Sequence, residues 1–220
     1  MLPDKMIPSM TAYAFPLVVL FVMALSSSTD AFKFPSAISK KSLALNMNFL
    51  SQLFGGARFS APCVMGDESI MSQKKFGTSD VPIQQNLRWG CDPKVAERIC
   101  NFNRHYAEYR NYWRSTSFVD EARKEYEENG EVKFYDSNTG KLIFVAPKGK
   151  GRTFDDFINE SLSHGWPSFR DSEVVWDSVR CLPNGETVSV DGTHLGHNLP
   201  DFSGNRYCIN LVSCAGNSFD

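Results

Sequence analysis

The chain has 220 residues, a formal net charge of −2 and a hydrophobic content of 42%. This length allows one modest globular domain with extensions, and the near-neutral charge argues against a nucleic acid or an anionic membrane as partner. The six cysteines have no regular spacing, so they do not form the pattern of a disulfide-stapled scaffold and suit a reducing compartment better.

The amino-terminal region resembles a targeting presequence. Residues 13–25 form an apolar run too short for a permanent membrane span, and small residues follow it up to Ala31. Residues 32–66 contain basic residues and serines but no acidic residue, which is typical of a transit peptide. We interpret 1–31 as a signal peptide and 32–66 as a transit-peptide-like segment. In series they resemble the bipartite presequences of algae with red-algal plastids, which predicts the plastid stroma; secretion is the alternative.

The predicted domain follows a short connection. Residues 67–81 are polar and irregular and are interpreted as a linker, so the domain is expected to span 82–220. Its first helix is predicted to begin at Asp92 as cap and to continue to Trp113 along an apolar stripe. The stripe comprises Val95, Ile99, Phe102, Tyr106, Tyr109 and Trp113.

Further helices and strands are predicted from pattern and turn residues. Helices are expected over 118–129, ended by Gly130, and over 153–163. Strands are expected at 132–134, 142–145, 174–182, 187–190 and 207–213, with a turn at 183–185.

One stretch near the carboxyl end combines a thiol with basic and polar groups. Alternation places Arg206, Cys208 and Asn210 on one face of an extended strand. A guanidinium beside a thiol favours the thiolate, and the imidazoles of His194 and His197 can act as proton donors to a reacting group. Other interpretations stay open: a small buried cysteine, and two histidines that are structural or half of a metal site.

Three segments together resemble one known family. Gly-Trp-Pro-Ser-Phe at 165–169, His-Leu-Gly-His at 194–197 and Arg-Tyr-Cys-Ile-Asn at 206–210 resemble the signature of the B-type methionine-R-sulfoxide reductases. The resemblance covers about 89–216. It implies a mainly β fold, with a twisted antiparallel sheet and peripheral α-helices. It also implies a peptide-methionine (R)-S-oxide reductase that repairs oxidised proteins through a cysteine sulfenic acid.

The resemblance assigns roles to individual residues. Cys208 matches the nucleophile, His194 and His197 the pair that binds or protonates the sulfoxide oxygen, and Arg206 and Asn210 the polar network that favours the thiolate. Trp166 and Phe169 match substrate-binding positions, with the Trp166 ring against the substrate methyl group. Asp201 matches a further acidic residue of the site, although the loop after it is shorter than usual and Leu199 replaces a phenylalanine.

Zinc is not expected in this chain. Many relatives hold a structural zinc through four cysteines, but the matching positions here offer no complete set of nitrogen or sulfur ligands. These positions are Asp136, Thr139, Val188 and Asp191. The resemblance therefore implies a zinc-free variant without a bound cofactor.

The route by which Cys208 is regenerated is open. His164 stands where many relatives carry the resolving cysteine, and Cys214 would lie roughly 20 Å from Cys208 along an extended strand. Resolving candidates are Cys181, Cys91 and Cys100. The expected reductant is an external thiol of the thioredoxin or glutaredoxin system. A monomer without a membrane partner is expected; the alternative function is an inactive protein-binding or chaperone-like module of the same fold.

Overall fold

The computed structural model describes residues 59–219. These residues form a two-stranded and a five-stranded antiparallel sheet with helices around them, so the prediction of a mainly β domain with peripheral helices is confirmed. The predicted signal peptide and most of the predicted transit segment lie outside the described residues. Between residues 59 and 219, no helix is long and apolar enough to cross a membrane.

The smaller sheet is a hairpin formed by two of the predicted strands, β1 (Val132–Tyr135) and β2 (Leu142–Ala146). Two hydrogen bonds within the turn stabilise the connection between the strands. The Asp136 carbonyl accepts the Gly140 N–H at 2.8 Å, and the Asp136 carboxylate accepts the Asn138 N–H at 2.8 Å. Gly140 has φ 68°, a left-handed conformation that favours glycine.

The larger sheet comprises β3 (Ser168–Phe169), β4 (Val179–Cys181), β5 (Glu186–Ser189), β6 (His194–Asn198) and β7 (Tyr207–Ile209). Its strand order is β3-β7-β6-β5-β4, and every neighbouring pair is antiparallel.

Two of these strands are shorter than the sequence predicted. The strand predicted at 174–182 is formed only by β4, and the strand predicted at 207–213 ends at Ile209. Leu211–Ser213 forms a 3-10 turn, because the Glu108 carboxylate accepts the N–H groups of Leu211 and Val212 at 2.7 and 3.1 Å. The Glu108 side chain therefore accepts the N–H groups that would otherwise bond a neighbouring strand.

The first helix is much shorter than predicted. It comprises α1 (Pro93–Glu97) and a π-helical turn over Arg98–Phe102, so the prediction that it reaches Trp113 is wrong. The Asn103 backbone leaves the helical region, and its side chain accepts the His105 N–H at 3.2 Å. Asparagine side chains compete with helical hydrogen bonds in this way.

The other two helices are confirmed. Helix α2 (Phe118–Asn129) ends at Gly130, which has φ 74° as expected for a glycine cap. Helix α3 (Phe154–His164) begins at Thr153, which forms a capping box with Asp156.

The core between the sheets is rich in phenylalanine. Phe134 on β1 and Phe144 on β2 contact Phe169 on β3, with ring centroids 4.9 and 4.3 Å apart. Phe157 of α3 packs on Phe169 at 5.1 Å. This cluster joins the hairpin, the helix and the edge of the larger sheet.

The segment before residue 82 packs against the larger sheet. Around β4, the Gly66 N–H donates to the Cys181 carbonyl at 2.8 Å and the Cys181 N–H donates to the Val64 carbonyl at 2.9 Å. The Lys74 ammonium donates to the Ile70 and Thr78 carbonyls at 2.6 and 2.7 Å. Residues 59–66 of the predicted transit segment and the predicted linker at 67–81 are therefore part of the folded unit.

Candidate active site

A cavity of about 220 Å³ opens beside β6 and β7. Among the residues assigned to the site from sequence, the structure brings five to this cavity: Cys208, His194, His197, Asn210 and Trp166. His105, Tyr106, Ala107 and Gly196 complete the wall.

Strand register explains why the thiol and both imidazoles face one side. Cys208 is the cross-strand partner of His197, so their side chains share a face of the sheet. Three positions along a regular strand would put His194 on the opposite face. The register between β5 and β6 shifts near Val188, and this irregularity brings the two imidazole centroids to 5.5 Å.

Gly196 allows β6 and β7 to approach closely. A Cβ atom built at Gly196 would lie 2.1 Å from the Cys208 carbonyl oxygen and 2.9 Å from the Ile209 α-carbon. Both contacts are with backbone atoms, which cannot move aside as a flexible side chain can. The glycine of His-Leu-Gly-His therefore fixes the distance between the histidine strand and the cysteine strand.

The electrostatics of Cys208 combine two opposing effects. Burial raises the pKa of the Cys208 thiol, and the nearby positive charge of Arg206 opposes that rise without reversing it. Arg206 thus favours the thiolate, as the sequence indicated, but desolvation is the larger effect and keeps the pKa of Cys208 above its ordinary value.

His194 is held by a buried acidic residue that the sequence analysis did not identify. The Glu186 carboxylate lies 2.7 Å from Nδ1 of His194 and accepts a hydrogen bond from Nη2 of Arg104 at 2.6 Å. Burial acts to raise the Glu186 pKa, but the bonds from His194 and Arg104 outweigh it and hold the pKa below its ordinary value. An ionised Glu186 can only accept a hydrogen bond, so it fixes the His194 ring through Nδ1–H and leaves Nε2 as the ring nitrogen available to the cavity.

His197 favours the neutral form. Burial lowers its pKa, and the neighbouring His194 lowers it further. A neutral imidazole on the strand opposite Cys208 has a nitrogen able to accept the thiol proton, which is the first requirement for activating a protonated cysteine.

Trp166 and Asn210 are oriented by main-chain carbonyls. Nε1 of Trp166 donates to the Glu108 carbonyl at 3.1 Å, and Nδ2 of Asn210 donates to the Leu195 carbonyl at 3.1 Å. Glu108 also supports the loop after β7 through its carboxylate, and burial raises its pKa to about 7. Glu108 carried no sequence signal, because its partners Leu211 and Val212 are more than 100 residues away.

Three predicted site residues lie outside the cavity wall. Arg206 is buried, and its Nε lies 3.5 Å from the Asp201 carboxylate. Asp201 pairs mainly with Arg170 at 2.7 Å, and this hydrogen bond lowers the Asp201 pKa. Phe169 is fully buried in the phenylalanine core, so the prediction that it contacts substrate is wrong.

The three resolving candidates do not line the cavity. Cys181 lies on β4, three strand spacings from β7, which puts its α-carbon about 14 Å from that of Cys208, against a limit of about 7 Å for a disulfide. Cys91 and Cys100 are buried, and burial raises the pKa of both thiols. Cys181 instead neighbours Cys63, a half-buried thiol whose pKa is lowered by a hydrogen bond from Cys181.

The positions matched to zinc ligands form direct contacts instead. The buried Asp136 carboxylate accepts the Thr193 hydroxyl at 2.9 Å, and Asp191 forms an ion pair with Lys141 at 2.8 Å. Val188 is a core residue with no ligand atom. This set does not fit a tetrahedral zinc site; its polar members connect the hairpin to the β5–β6 loop.

Comparisons of the chain with protein-family models, with curated proteins and with solved structures find no match.

Proposed function

We propose that the protein reduces methionine-R-sulfoxide residues in proteins to methionine, using Cys208 as the nucleophile. The observation that carries this proposal is the cavity in which Cys208 faces His197, with His194 and Trp166 on the same wall. The preference for the R epimer and for methionine sulfoxide comes from the three-segment resemblance.

The reaction is balanced with one thiol and one sulfoxide. The Cys208 sulfur attacks the sulfoxide sulfur while neutral His197 takes the thiol proton and passes it to the sulfoxide oxygen. The hydroxyl group then transfers from the substrate sulfur to the Cys208 sulfur, as the substrate sulfur–oxygen bond and the new sulfur–sulfur bond both break. Methionine leaves, and Cys208 becomes a sulfenic acid. The substrate sulfur gains the two electrons that the Cys208 sulfur loses. Prior ionisation of Cys208 is unnecessary, which agrees with its raised pKa.

The remaining wall residues orient the substrate. His194, fixed by Glu186, presents Nε2 toward the polar end of the substrate. The Trp166 ring offers an apolar surface for the methyl group, and its own N–H is already bonded to the Glu108 carbonyl. Asn210 supplies a further polar contact at the cavity wall.

Recycling proceeds through an external donor of the thioredoxin or glutaredoxin class. One donor thiol attacks the Cys208 sulfenic acid and releases water, and a second donor thiol breaks the mixed disulfide and restores the Cys208 thiol. The placement of Cys91, Cys100 and Cys181 away from the cavity favours this direct route.

Reduction of the two epimers of N-acetyl-methionine sulfoxide with dithiothreitol tests the proposal. We expect turnover of the R epimer alone, with loss of at least about 1000-fold in Cys208→Ser. Cys63→Ser is the matched control, because Cys63 is also half-buried but lies outside the cavity. Equal activity of the Cys208→Ser and wild-type proteins would contradict the mechanism. Absence of turnover in a folded wild-type protein would favour the binding-module alternative.

We also propose that the protein works in the plastid stroma, on the composition of residues 1–66. A fluorescent protein fused behind residues 1–66 should enter the plastids of a diatom. Fluorescence in the medium or the cytosol would contradict this location.

A further inference from the structure

A second groove adjoins the cavity and is larger, with a volume of about 520 Å³. Tyr106 and Ala107 line both spaces, so they form a shared wall. The rest of the groove, from Lys94 to Tyr112, comes from α1, the following π-helical turn and the loop up to Tyr112. A chain that inserts one side chain into the cavity therefore meets this groove with its neighbouring residues.

The floor of the groove is apolar and aromatic. Val95, Ile99 and Tyr112 form part of it, and Tyr106 and Tyr109 stay 46% and 61% exposed at its edge. Tyrosine offers a large and rather rigid contact surface, which suits binding of an apolar side chain.

The exposed charges at this groove are positive. Lys94 and Arg98 line it with exposed side chains, and the Arg98 guanidinium stacks 4.0 Å from the Tyr106 ring centroid. The one carboxylate in its wall, Glu108, is 4% exposed and is occupied by the N–H groups of Leu211 and Val212. A ligand entering the groove thus meets two cations and little opposing negative charge.

We propose that this groove binds the segment of the substrate polypeptide next to the oxidised methionine, and that it selects an acidic residue adjacent to an apolar one. The proposal rests on the proposed function, since the methionine must enter the cavity. Protein substrates carry main chain on both sides of the methionine, and an extended chain advances about 3.3 Å per residue. A groove that shares a wall with the cavity is therefore within reach of the first few flanking residues.

Peptides that contain one methionine-R-sulfoxide test this inference. Each peptide carries either Glu-Leu or Lys-Leu on one side of the sulfoxide residue and Gly-Ser on the other side. The Glu-Leu or Lys-Leu pair is placed before the sulfoxide residue in one set of peptides and after it in a second set. In one of the two sets, we expect the KM of the Glu-Leu peptide to be at least about fivefold lower than that of the Lys-Leu peptide. This preference should weaken at high salt, because the two cations are exposed.

The double variant Lys94→Glu with Arg98→Glu should reverse the peptide preference. Its activity on N-acetyl-methionine-R-sulfoxide, which has no flanking residues, should remain within about twofold of wild type. Lys124→Glu with Lys150→Glu is the control of equal charge change, since both lysines are exposed and lie outside the groove. This control variant should keep the wild-type preference.

Direct binding separates this inference from the proposed function. Fluorescence anisotropy of the labelled peptides measures their affinity for the Cys208→Ser protein without turnover. Equal affinities for the Glu-Leu and Lys-Leu peptides, or a preference that persists in the Lys94→Glu, Arg98→Glu variant, would overturn the groove assignment. Failure to reduce N-acetyl-methionine-R-sulfoxide, with the Glu-Leu preference in binding retained, would overturn the proposed function and leave the peptide-binding groove in place.

Discussion

At the scale of single residues, the Cys208 thiol is under two opposing influences. Burial raises its pKa and Arg206 lowers it, with burial the larger. The rate of alkylation by iodoacetamide should therefore rise with pH to a midpoint above that of an ordinary cysteine, because only the thiolate reacts. Replacing Arg206 with Met removes the opposing charge, so the midpoint should move to higher pH and the rate at pH 7 should fall about threefold or more.

Arg206→Lys is the control for this titration because it keeps the positive charge. The Cys208→Ser protein gives the background from the other cysteines. A midpoint that moves to lower pH in Arg206→Met would contradict the assigned influence of Arg206.

Glu186 is expected to act through His194. In Glu186→Gln the side chain no longer fixes the His194 proton on Nδ1, so kcat/KM for the R sulfoxide should fall by about 100-fold. If the effect passes through His194, the double variant Glu186→Gln with His194→Asn should lose no more activity than His194→Asn alone.

Glu68→Gln provides the matched control for that cycle. Glu68 also pairs with Arg104, at 2.5 Å, but lies on the exposed side of the guanidinium. Its replacement should leave kcat/KM within about twofold of wild type. Additive losses in the double variant would show that Glu186 acts independently of His194.

The residues of the site differ in how far the sequence could predict them. Cys208, His197 and Asn210 fall in short motifs, and strand alternation already relates Cys208 to Asn210. Glu186 reaches His194 only because β5 pairs with β6 after a shift in register. No local pattern encodes such a pairing.

At the scale of secondary-structure elements, the close approach of β6 and β7 depends on Gly196. In Gly196→Ala the new methyl group would meet the Cys208 carbonyl at 2.1 Å, so the strands must separate. We expect a loss of about 1–3 kcal/mol in the free energy of unfolding, measured by urea denaturation. Activity should fall further than this loss of folded protein explains, because the distance between the histidines and Cys208 changes.

Gly130→Ala separates steric contact from backbone strain. Gly130 also has a left-handed φ, 74°, but a Cβ there would meet nothing within 4 Å. This variant should be destabilised by about 1 kcal/mol and remain fully active when folded. Equal activity losses in the two variants would contradict the role given to Gly196.

The first helix shows where periodicity alone misleads. The apolar stripe predicted that the helix continues through Tyr106 and Tyr109, but both residues lie in a loop and are exposed. The helix ends where the Asn103 side chain accepts the His105 N–H and so competes with the helical hydrogen bonds. The spacing of apolar residues does not reveal this competition. These two aromatic residues of the predicted stripe instead border the second groove.

At the scale of the whole molecule, hydrogen bonds and an ion pair join the hairpin to the larger sheet at the positions that the sequence resemblance matched to zinc ligands. Asp136 contacts Thr193, and Lys141 contacts Asp191. Elemental analysis of the purified protein should find no stoichiometric zinc, and a chelator should leave its melting temperature unchanged. About one zinc per chain would contradict this prediction and would require His194 and His197 to be tested as ligands.

The amino-terminal boundary of the folded unit is set by main-chain contacts that composition does not reveal. Residues 59–66 have the acid-free composition of the segment before them, yet the structure bonds Gly66 and Val64 to Cys181, and Ser60 to Asn205. A protein that starts at Phe59 should therefore melt at a higher temperature than one that starts at Asp67. These three hydrogen bonds are worth about 1 kcal/mol each, so the difference should be roughly 6–12 °C. A protein that starts at Ala61 lacks the Ser60 contact but keeps the bonds of Val64 and Gly66 to Cys181, so its melting temperature should fall between the other two. Equal melting temperatures for the starts at Phe59 and Asp67 would show that residues 59–66 add no stability.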